Sequence, residues 1–127
     1  MQEQHLFEYA VIRIVPRVER EEFINAGIIL YCKSAQFLHV LYEVNEQKIK
    51  ALCSQCDAEE LETHLNAFAL IAAGDKNGGP IARLDTASRF RWLTSQRSTI
   101  LQTSKVHPGL CEDAMEMTEK LFKQHVL

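Results

Sequence analysis

Three β-rich segments lie close together in the first third of the chain, and this spacing constrains the fold more than any other sequence feature. They span about residues 7–15, 23–32 and 37–42. β-Branched and aromatic residues are frequent in all three, as in strands. Pro16 ends the regular pairing of the first strand, and the charged residues 17–22 predict an exposed turn. Residues 33–36 are short enough to close a hairpin, so the pattern predicts an antiparallel sheet of about three strands.

Helical periodicity replaces the strand pattern after the third segment. The spacing of one buried helical face is shown by Ile49, Leu52, Cys53 and Cys56. Asp57 then predicts the N-cap of a second helix, and Gly74 predicts its end. Two further helices are expected at about residues 85–93 and 112–125, with irregular or extended chain at 94–103. The fold class expected is therefore α+β, with a small antiparallel sheet packed against several helices.

Length and charge limit the functional classes. A chain of 127 residues with 46% apolar residues predicts a single domain, residues 1–127. The net charge is −3, yet residues 83–105 contain five basic side chains and one acidic side chain. An acidic protein with one basic segment is a poor binder of duplex nucleic acid, which requires many phosphate contacts. One small anionic ligand, or an acidic segment of a protein partner, remains compatible with this distribution.

The amino-terminal residues contain neither the basic region nor the long apolar run of a signal peptide. No stretch approaches the roughly 20 apolar residues that cross a bilayer. We therefore expect a cytoplasmic protein with no membrane partner, whose four cysteines are reduced thiols.

The basic segment is the first candidate site. Its candidate ligand-binding residues are Arg89, Arg91, Arg97, Ser98 and Thr99. Guanidinium groups bind phosphate or carboxylate bidentately, and hydroxyl groups complete such a site. The alternative is structural, with the arginines paired to acidic side chains and stacked on Trp92.

Arg13 is the second candidate, because it interrupts an apolar strand face between Val11 and Val15. A charge there needs a partner, since burying an unpaired charge is costly. Glu8, Glu21 or Glu22 could supply an ion pair. Otherwise Arg13 and the amide of Asn25 could face the later arginines across a ligand, and the Ala26-Gly27 pair after Asn25 predicts a bulge or a close backbone approach.

Two pairs of residues suggest catalysis or metal binding. His107 could act as an acid or base and Cys111 or Ser104 as a nucleophile, although Pro108-Gly109 more simply predicts a turn before the last helix. Cys53 and Cys56 have the spacing of zinc or redox pairs. Their positions on an apolar helical face instead predict buried thiols, so we expect no metal and no cofactor.

Several separated motifs carry a family resemblance. They are Tyr9-Ala10-Val11-Ile12-Arg13, residues 15–27, Phe90-Arg91-Trp92-Leu93, Arg97-Ser98-Thr99 and His107-Pro108-Gly109. In this order they resemble the bacterial family known as domain of unknown function 3037 (DUF3037). The family has no established activity, and the resemblance implies a small bacterial cytoplasmic protein. A tendency of such genes to lie beside genes for kinase-like proteins implies an accessory role with a kinase-like partner.

These observations name no substrate, so the function remains unknown at this level. The leading hypothesis is an accessory or binding module that recognises an anionic ligand or an acidic protein partner through an arginine cluster. The alternative is a small enzyme acting on a phosphorylated or nucleotide substrate, with His107 as acid or base and the arginines stabilising charge.

Overall fold

The computed structural model describes residues 3–96 and 99–127 of the chain. The strands described are β1 (His5–Ile14), β2 (Ile24–Cys32), β3 (Phe37–Tyr42), β4 (Leu101–Thr103) and β5 (His107–Cys111). The α-helices are α1 (Glu46–Leu52), α2 (Ala58–Ala73), α3 (Thr86–Thr94) and α4 (Ala114–His125). The α+β class is therefore confirmed, whereas the antiparallel sheet has five strands rather than about three.

β1 is the central strand of the sheet. One of its edges pairs with β2, which pairs in turn with β3, so the predicted hairpin is confirmed. The other edge is shared between two short strands. β5 pairs with residues 5–9 of β1 and β4 pairs with residues 12–14. The two unpredicted strands therefore occupy one row of the sheet.

Ser104 joins these two strands at the point where neither pairs with β1. The Val11 N–H donates to the Ser104 hydroxyl oxygen at 2.8 Å, and the Ser104 N–H donates to the Val11 carbonyl at 2.8 Å. The hydroxyl donates in turn to the Lys105 carbonyl at 2.9 Å. A buried serine side chain thus replaces a missing backbone partner, which explains its burial and assigns it a structural role.

We expect Ser104→Ala to lower the free energy of unfolding by about 1–3 kcal/mol, because it leaves the buried Val11 N–H without an acceptor. Urea denaturation followed by circular dichroism measures the change. Thr63→Ala is the matched control, since its exposed hydroxyl donates only to the Glu59 carbonyl within the same helix. A loss no larger than that of the control would contradict the structural role of Ser104.

The helices cover both faces of the sheet. α1, α2 and α3 pack on the face that contains Ala10, Ile12 and Ile14. α4 packs on the opposite face through Leu121, against a cluster that contains Phe7 and Val11. Because alternate residues of a strand point to opposite faces, Arg13 lies on the α4 face. This division decides which candidate residues can meet.

The ends of α2 follow the two predicted capping residues. Asp57 accepts a hydrogen bond from the Glu59 N–H at 2.9 Å, and Gly74 ends α2 with φ 67°, as predicted. Asp85 caps α3 and Asp113 caps α4 through their carboxylates. The helix predicted to carry Ile49, Leu52, Cys53 and Cys56 on one face is shorter than expected, since α1 ends at Leu52.

Candidate functional site

Arg13 and Asn25 lie opposite one another in the β1–β2 pair, where the register shifts at a β-bulge between Ile12 and Arg13. A bulge or a close backbone approach was predicted at Ala26-Gly27; the bulge is found, and a Cβ on Gly27 would lie 2.5 Å from the Leu41 carbonyl oxygen. The Asn25 Nδ2 donates to the carbonyl of His125, the last residue of α4, at 3.0 Å. The Asn25 Oδ1 is buried and has no hydrogen-bond partner within the described residues. The bulge therefore places a guanidinium group and an amide side by side on the α4 face.

The guanidinium of Arg13 is held against an aromatic ring. Its Cζ lies 4.1 Å from the centroid of the Phe23 ring, within the range of a cation–π contact. The Arg13 Nε is buried and has no hydrogen-bond partner within the described residues. The ion pair expected for Arg13 is not found among these residues, where Glu22 pairs instead with Arg20. Arg13 is thus positioned by stacking, with donor capacity that no described residue uses.

A groove of about 620 Å³ opens beside this side chain. We call it the Arg13 groove, and its lining includes Arg13, Val18, Glu21, Phe23, Gln96, Gln102 and Lys105. The lining thus contains two cationic side chains, two amide side chains and one carboxylate. Gln96, Gln102 and Lys105 were not predicted, although Lys105 belongs to the basic segment that composition singled out.

Arg89 lies on the other side of the sheet and has a different environment. Its Nη1 donates to the Leu84 carbonyl at 2.7 Å, and its Nη2 donates to the Ala72 carbonyl at 3.5 Å. The guanidinium packs about 3.4 Å from the position that a Cβ on Gly74 would take. A cation placed against the last carbonyls of α2 stabilises the end of that helix. Arg89 therefore contacts the end of α2 and lies away from Arg13.

Arg91 is exposed in the last turn of α3. The pKa of Asp85 is lowered mainly by hydrogen bonds from Ser88, and the charges of Arg91 and Arg89 contribute further. Both arginines of this helix therefore act on its cap. They form a surface separate from the Arg13 groove.

The remaining predicted ligand-binding residues follow α3. Arg97 and Ser98 lie outside the described residues. The Thr99 hydroxyl donates to the Leu101 carbonyl at 2.7 Å, and the Thr99 carbonyl accepts from the Gln102 side chain at 3.0 Å. Since the backbone of Gln102 pairs with Arg13, Thr99 lies beside a residue that lines the Arg13 groove.

His107 and Cys111, the weak catalytic candidates, belong to β5 rather than to a turn before α4. The His107 side chain is exposed, and its ring centroid lies 5.5 Å from that of Tyr9. Cys111 is buried, and burial raises the pKa of its thiol, with the nearby Cys32 as the next cause. A raised pKa disfavours the thiolate that a nucleophile requires. Four residues along a strand separate the two by about 13 Å, so the structure does not bring them together.

A family model described as a protein of unknown function (DUF3037) matches residues 9–126. The chain belongs to the DUF3037 family. No curated protein and no solved structure matches the chain. The DUF3037 match includes every residue that lines the Arg13 groove, from Arg13 to Lys105.

Neither a metal-binding cluster nor a membrane-spanning helix is found in the described part of this DUF3037 chain. Within residues 3–96 and 99–127, no group of three or more histidine, cysteine, aspartate or glutamate side chains could hold a metal ion. Over the same described ranges, none of the helices combines the length and apolar character that crossing a bilayer requires. Among the predicted ligand-binding residues that the structure describes, Arg13 lines the Arg13 groove, Asn25 pairs with Arg13 in the sheet and Thr99 contacts Gln102.

Proposed function

We propose that this protein is a non-catalytic binding module that holds an anionic group, a carboxylate or a phosphate, in the Arg13 groove. The group belongs either to a small ligand or to an acidic segment of a protein partner. The observation that carries the proposal is the buried Arg13 Nε, which has no hydrogen-bond partner within the described residues although its guanidinium is held in place. A bacterial cytoplasmic location and a kinase-like partner are part of the same proposal and rest on the family resemblance.

The orientation of Arg13 supports recognition of an oxyanion. Stacking on Phe23 fixes the plane of the guanidinium before any ligand arrives. The terminal Nη groups can then donate in parallel to two oxygens of a carboxylate or phosphate. Because the side chain is already ordered, binding costs less conformational entropy than it would with a free arginine.

The other groove residues define the kind of anion. Lys105 adds a second positive charge, and the amides of Gln96 and Gln102 can donate to further oxygens. Glu21 lines the same groove and repels excess negative charge, which favours a ligand with one or two charges over a polyanion.

Exposed apolar side chains border the charged residues. Phe23 is 45% exposed and Val18 is 38% exposed, and both line the groove. Covering them would add a hydrophobic contribution to binding. We therefore infer a ligand in which the anionic group adjoins an apolar group, as in an acidic peptide with interspersed leucines.

The test is a titration of ¹⁵N-labelled protein, followed by NMR, with three probes that carry one or two negative charges: inorganic phosphate, succinate and a terminally blocked leucine-aspartate-leucine peptide. We expect at least one probe to shift the Arg13 Nε–H and the amides of Gln102 and Lys105. Arg13→Gln should weaken that binding about 10-fold or more, because hydrogen bonds to a charged group contribute about 1.5–3 kcal/mol.

Arg91→Gln is the matched control, since it removes one exposed arginine from α3 and leaves the groove intact. Its affinity should stay within about twofold of the wild type. If Arg91→Gln weakens binding and Arg13→Gln does not, the anion site lies on α3. The absence of any shift in the Arg13 groove with all three probes would remove the proposal.

The enzyme alternative has no comparable support. It requires His107 to act beside a nucleophile, and the strand geometry separates His107 from Cys111. The other imagined nucleophile, Ser104, is occupied by hydrogen bonds to Val11 and Lys105.

A further inference from the structure

Cys53 and Cys56 lie in a tight turn at the end of α1, on a part of the surface that the Arg13 groove does not include. The Cys53 N–H closes the last turn of α1 by donating to the Ile49 carbonyl at 2.8 Å. The Cys56 N–H then donates to the Cys53 carbonyl at 3.3 Å. The Lys50 ammonium donates to the Cys56 carbonyl at 2.9 Å and holds the turn against the helix. The two cysteines therefore occupy the first and last positions of a hydrogen-bonded four-residue turn.

The turn geometry suits a disulfide. Its end residues have Cα atoms less than about 7 Å apart, and disulfides join Cα atoms separated by about 4.4–6.8 Å. Each thiol shifts the pKa of the other, as expected for neighbouring sulfur atoms. Cys56 packs against the core beside α2, whereas Cys53 lines an open cavity. Cys53 is thus accessible to a reagent, and Cys56 lies on the protein side of Cys53.

The proximity of the two thiols changes their pKa values in opposite directions. Donation from Cys56 lowers the pKa of Cys53, and the charge of Arg17 lowers it further. Burial is the main cause that raises the pKa of Cys56 to about 11, and the contact with Cys53 adds to it. Cys53 is therefore the better nucleophile near neutral pH, since the thiolate is the reactive form.

The cavity beside Cys53 has a volume of about 420 Å³ and is rich in positive charge. We call it the thiol cavity and define it by Arg17, Arg20, Glu22, Lys50, Cys53 and Ser54. Arg20 is paired with Glu22, which leaves the charges of Arg17 and Lys50 to act on a molecule in the cavity. A negatively charged reagent should therefore reach Cys53 more readily than a neutral or positive one.

We propose that Cys53 and Cys56 are a redox-active dithiol that exchanges with anionic small-molecule disulfides in the thiol cavity. The Cys53 thiolate attacks one sulfur of the reagent, forming a mixed disulfide while the reagent's S–S bond breaks and one thiolate leaves. Cys56 loses its proton to solvent and attacks the Cys53 sulfur. The Cys53–Cys56 bond forms, the mixed disulfide breaks and the second thiolate leaves. The protein loses two protons and two electrons, and the reagent becomes two thiols.

The other two cysteines are an internal control. Cys32 and Cys111 are buried, with 0% and 4% of their surface exposed. Burial also raises the pKa of the Cys111 thiol. They should remain unmodified under conditions that oxidise the exposed turn.

The experiment treats the reduced protein with oxidised glutathione at pH 7.5 and identifies the products by mass spectrometry of the non-reduced protein and its peptides. The wild type should lose two hydrogens within the Cys53–Cys56 peptide. Cys56→Ser should instead accumulate one glutathionyl group on Cys53, because no thiol resolves the mixed disulfide. Cys53→Ser should form the mixed disulfide at least about 10-fold more slowly. A wild-type Cys53–Cys56 peptide that stays reduced overturns the proposal without reference to the serine variants.

Charge selectivity is measured with the neutral disulfide of 2-mercaptoethanol and with the cationic disulfide cystamine, at concentrations equal to that of oxidised glutathione. Each rate is first divided by the rate at which the same reagent reacts with a free thiol in solution. At low salt, this normalised rate should be several-fold higher for oxidised glutathione than for the neutral reagent. The preference should decrease with added salt and in Arg17→Gln. If the normalised rates of oxidised glutathione and the neutral reagent are equal at low salt, the assignment of the thiol cavity to anionic reagents is overturned. The two proposals rest on different residues, so either can fail alone.

Discussion

Replacement of Gly27 by valine is expected to lower the free energy of unfolding by about 3 kcal/mol, because no side chain fits at this position. A Cβ on Gly27 would lie 2.5 Å from the Leu41 carbonyl oxygen and 3.1 Å from the Tyr42 Cβ. The first contact is with the backbone of β3, which pairs with β2 at this point and cannot move aside without losing its ladder. Overpacking of this kind costs about 1–3 kcal/mol and occasionally more. Urea denaturation of purified protein measures the change.

Gly27→Ala separates the effect of the Cβ from the effect of the two further methyl groups of valine. It introduces the same Cβ without the two methyl groups of valine, so it should already show a clear destabilisation. Because the β-bulge that positions Arg13 and Asn25 adjoins Gly27, the alanine variant should also weaken anion binding. A Gly27→Ala protein as stable as the wild type would show that β2 and β3 are not this close.

Phe7→Ala is expected to cost about 3–5 kcal/mol, the usual range for a buried phenylalanine. The Phe7 side chain is 5% exposed and belongs to the cluster that α4 covers. Its ring also lies over Gly109 of β5, with the Cζ 2.5 Å from where a Cβ on that glycine would be. The ring therefore fills the space that the glycine leaves open. Thermal and urea unfolding should both show the loss.

The control is the preceding residue of the same strand. Leu6 is 62% exposed, so Leu6→Ala should change the free energy of unfolding by no more than about 0.5 kcal/mol. Gly109→Ala tests the contact from the other side, because the added methyl group collides with the ring only when Phe7 is present. Equal costs of Gly109→Ala with and without the Phe7→Ala change would contradict the packing of the ring over this glycine.

Local sequence patterns were sufficient to predict the first half of the fold. The first three strands are long and β-rich, and their turns are short, so neighbouring segments pair with each other. The bounds of α2 follow from Asp57 and Gly74, whose roles depend only on adjacent residues. The two missed strands lack such signals. β4 has three residues, and β5 contains Pro108 and Gly109, a dipeptide typical of turns. Their pairing depends on β1, which lies about 90 residues earlier in the chain.

The residues of the candidate site likewise include some that local sequence patterns predict and others that depend on tertiary packing. Arg13 and Asn25 could be predicted together because each interrupts the pattern of its own strand. The surroundings of Arg89 could not, since the carbonyl of Ala72 that it contacts is 17 residues away and is brought near only by the packing of α3 on α2. Gln102 and Lys105 enter the groove through the register of β4, which no local pattern specifies.

The segment between β1 and β2 borders both cavities. Val18 and Glu21 line the Arg13 groove, while Arg17 and Arg20 line the thiol cavity. A ligand that shifts this segment from one side therefore changes the free energy of occupancy on the other. Thermodynamic linkage makes the effect reciprocal: the factor by which thiol oxidation changes anion affinity equals the factor by which a bound anion changes the dithiol–disulfide equilibrium. If both proposals hold, this connection links the redox state of Cys53 and Cys56 to the occupancy of the Arg13 groove.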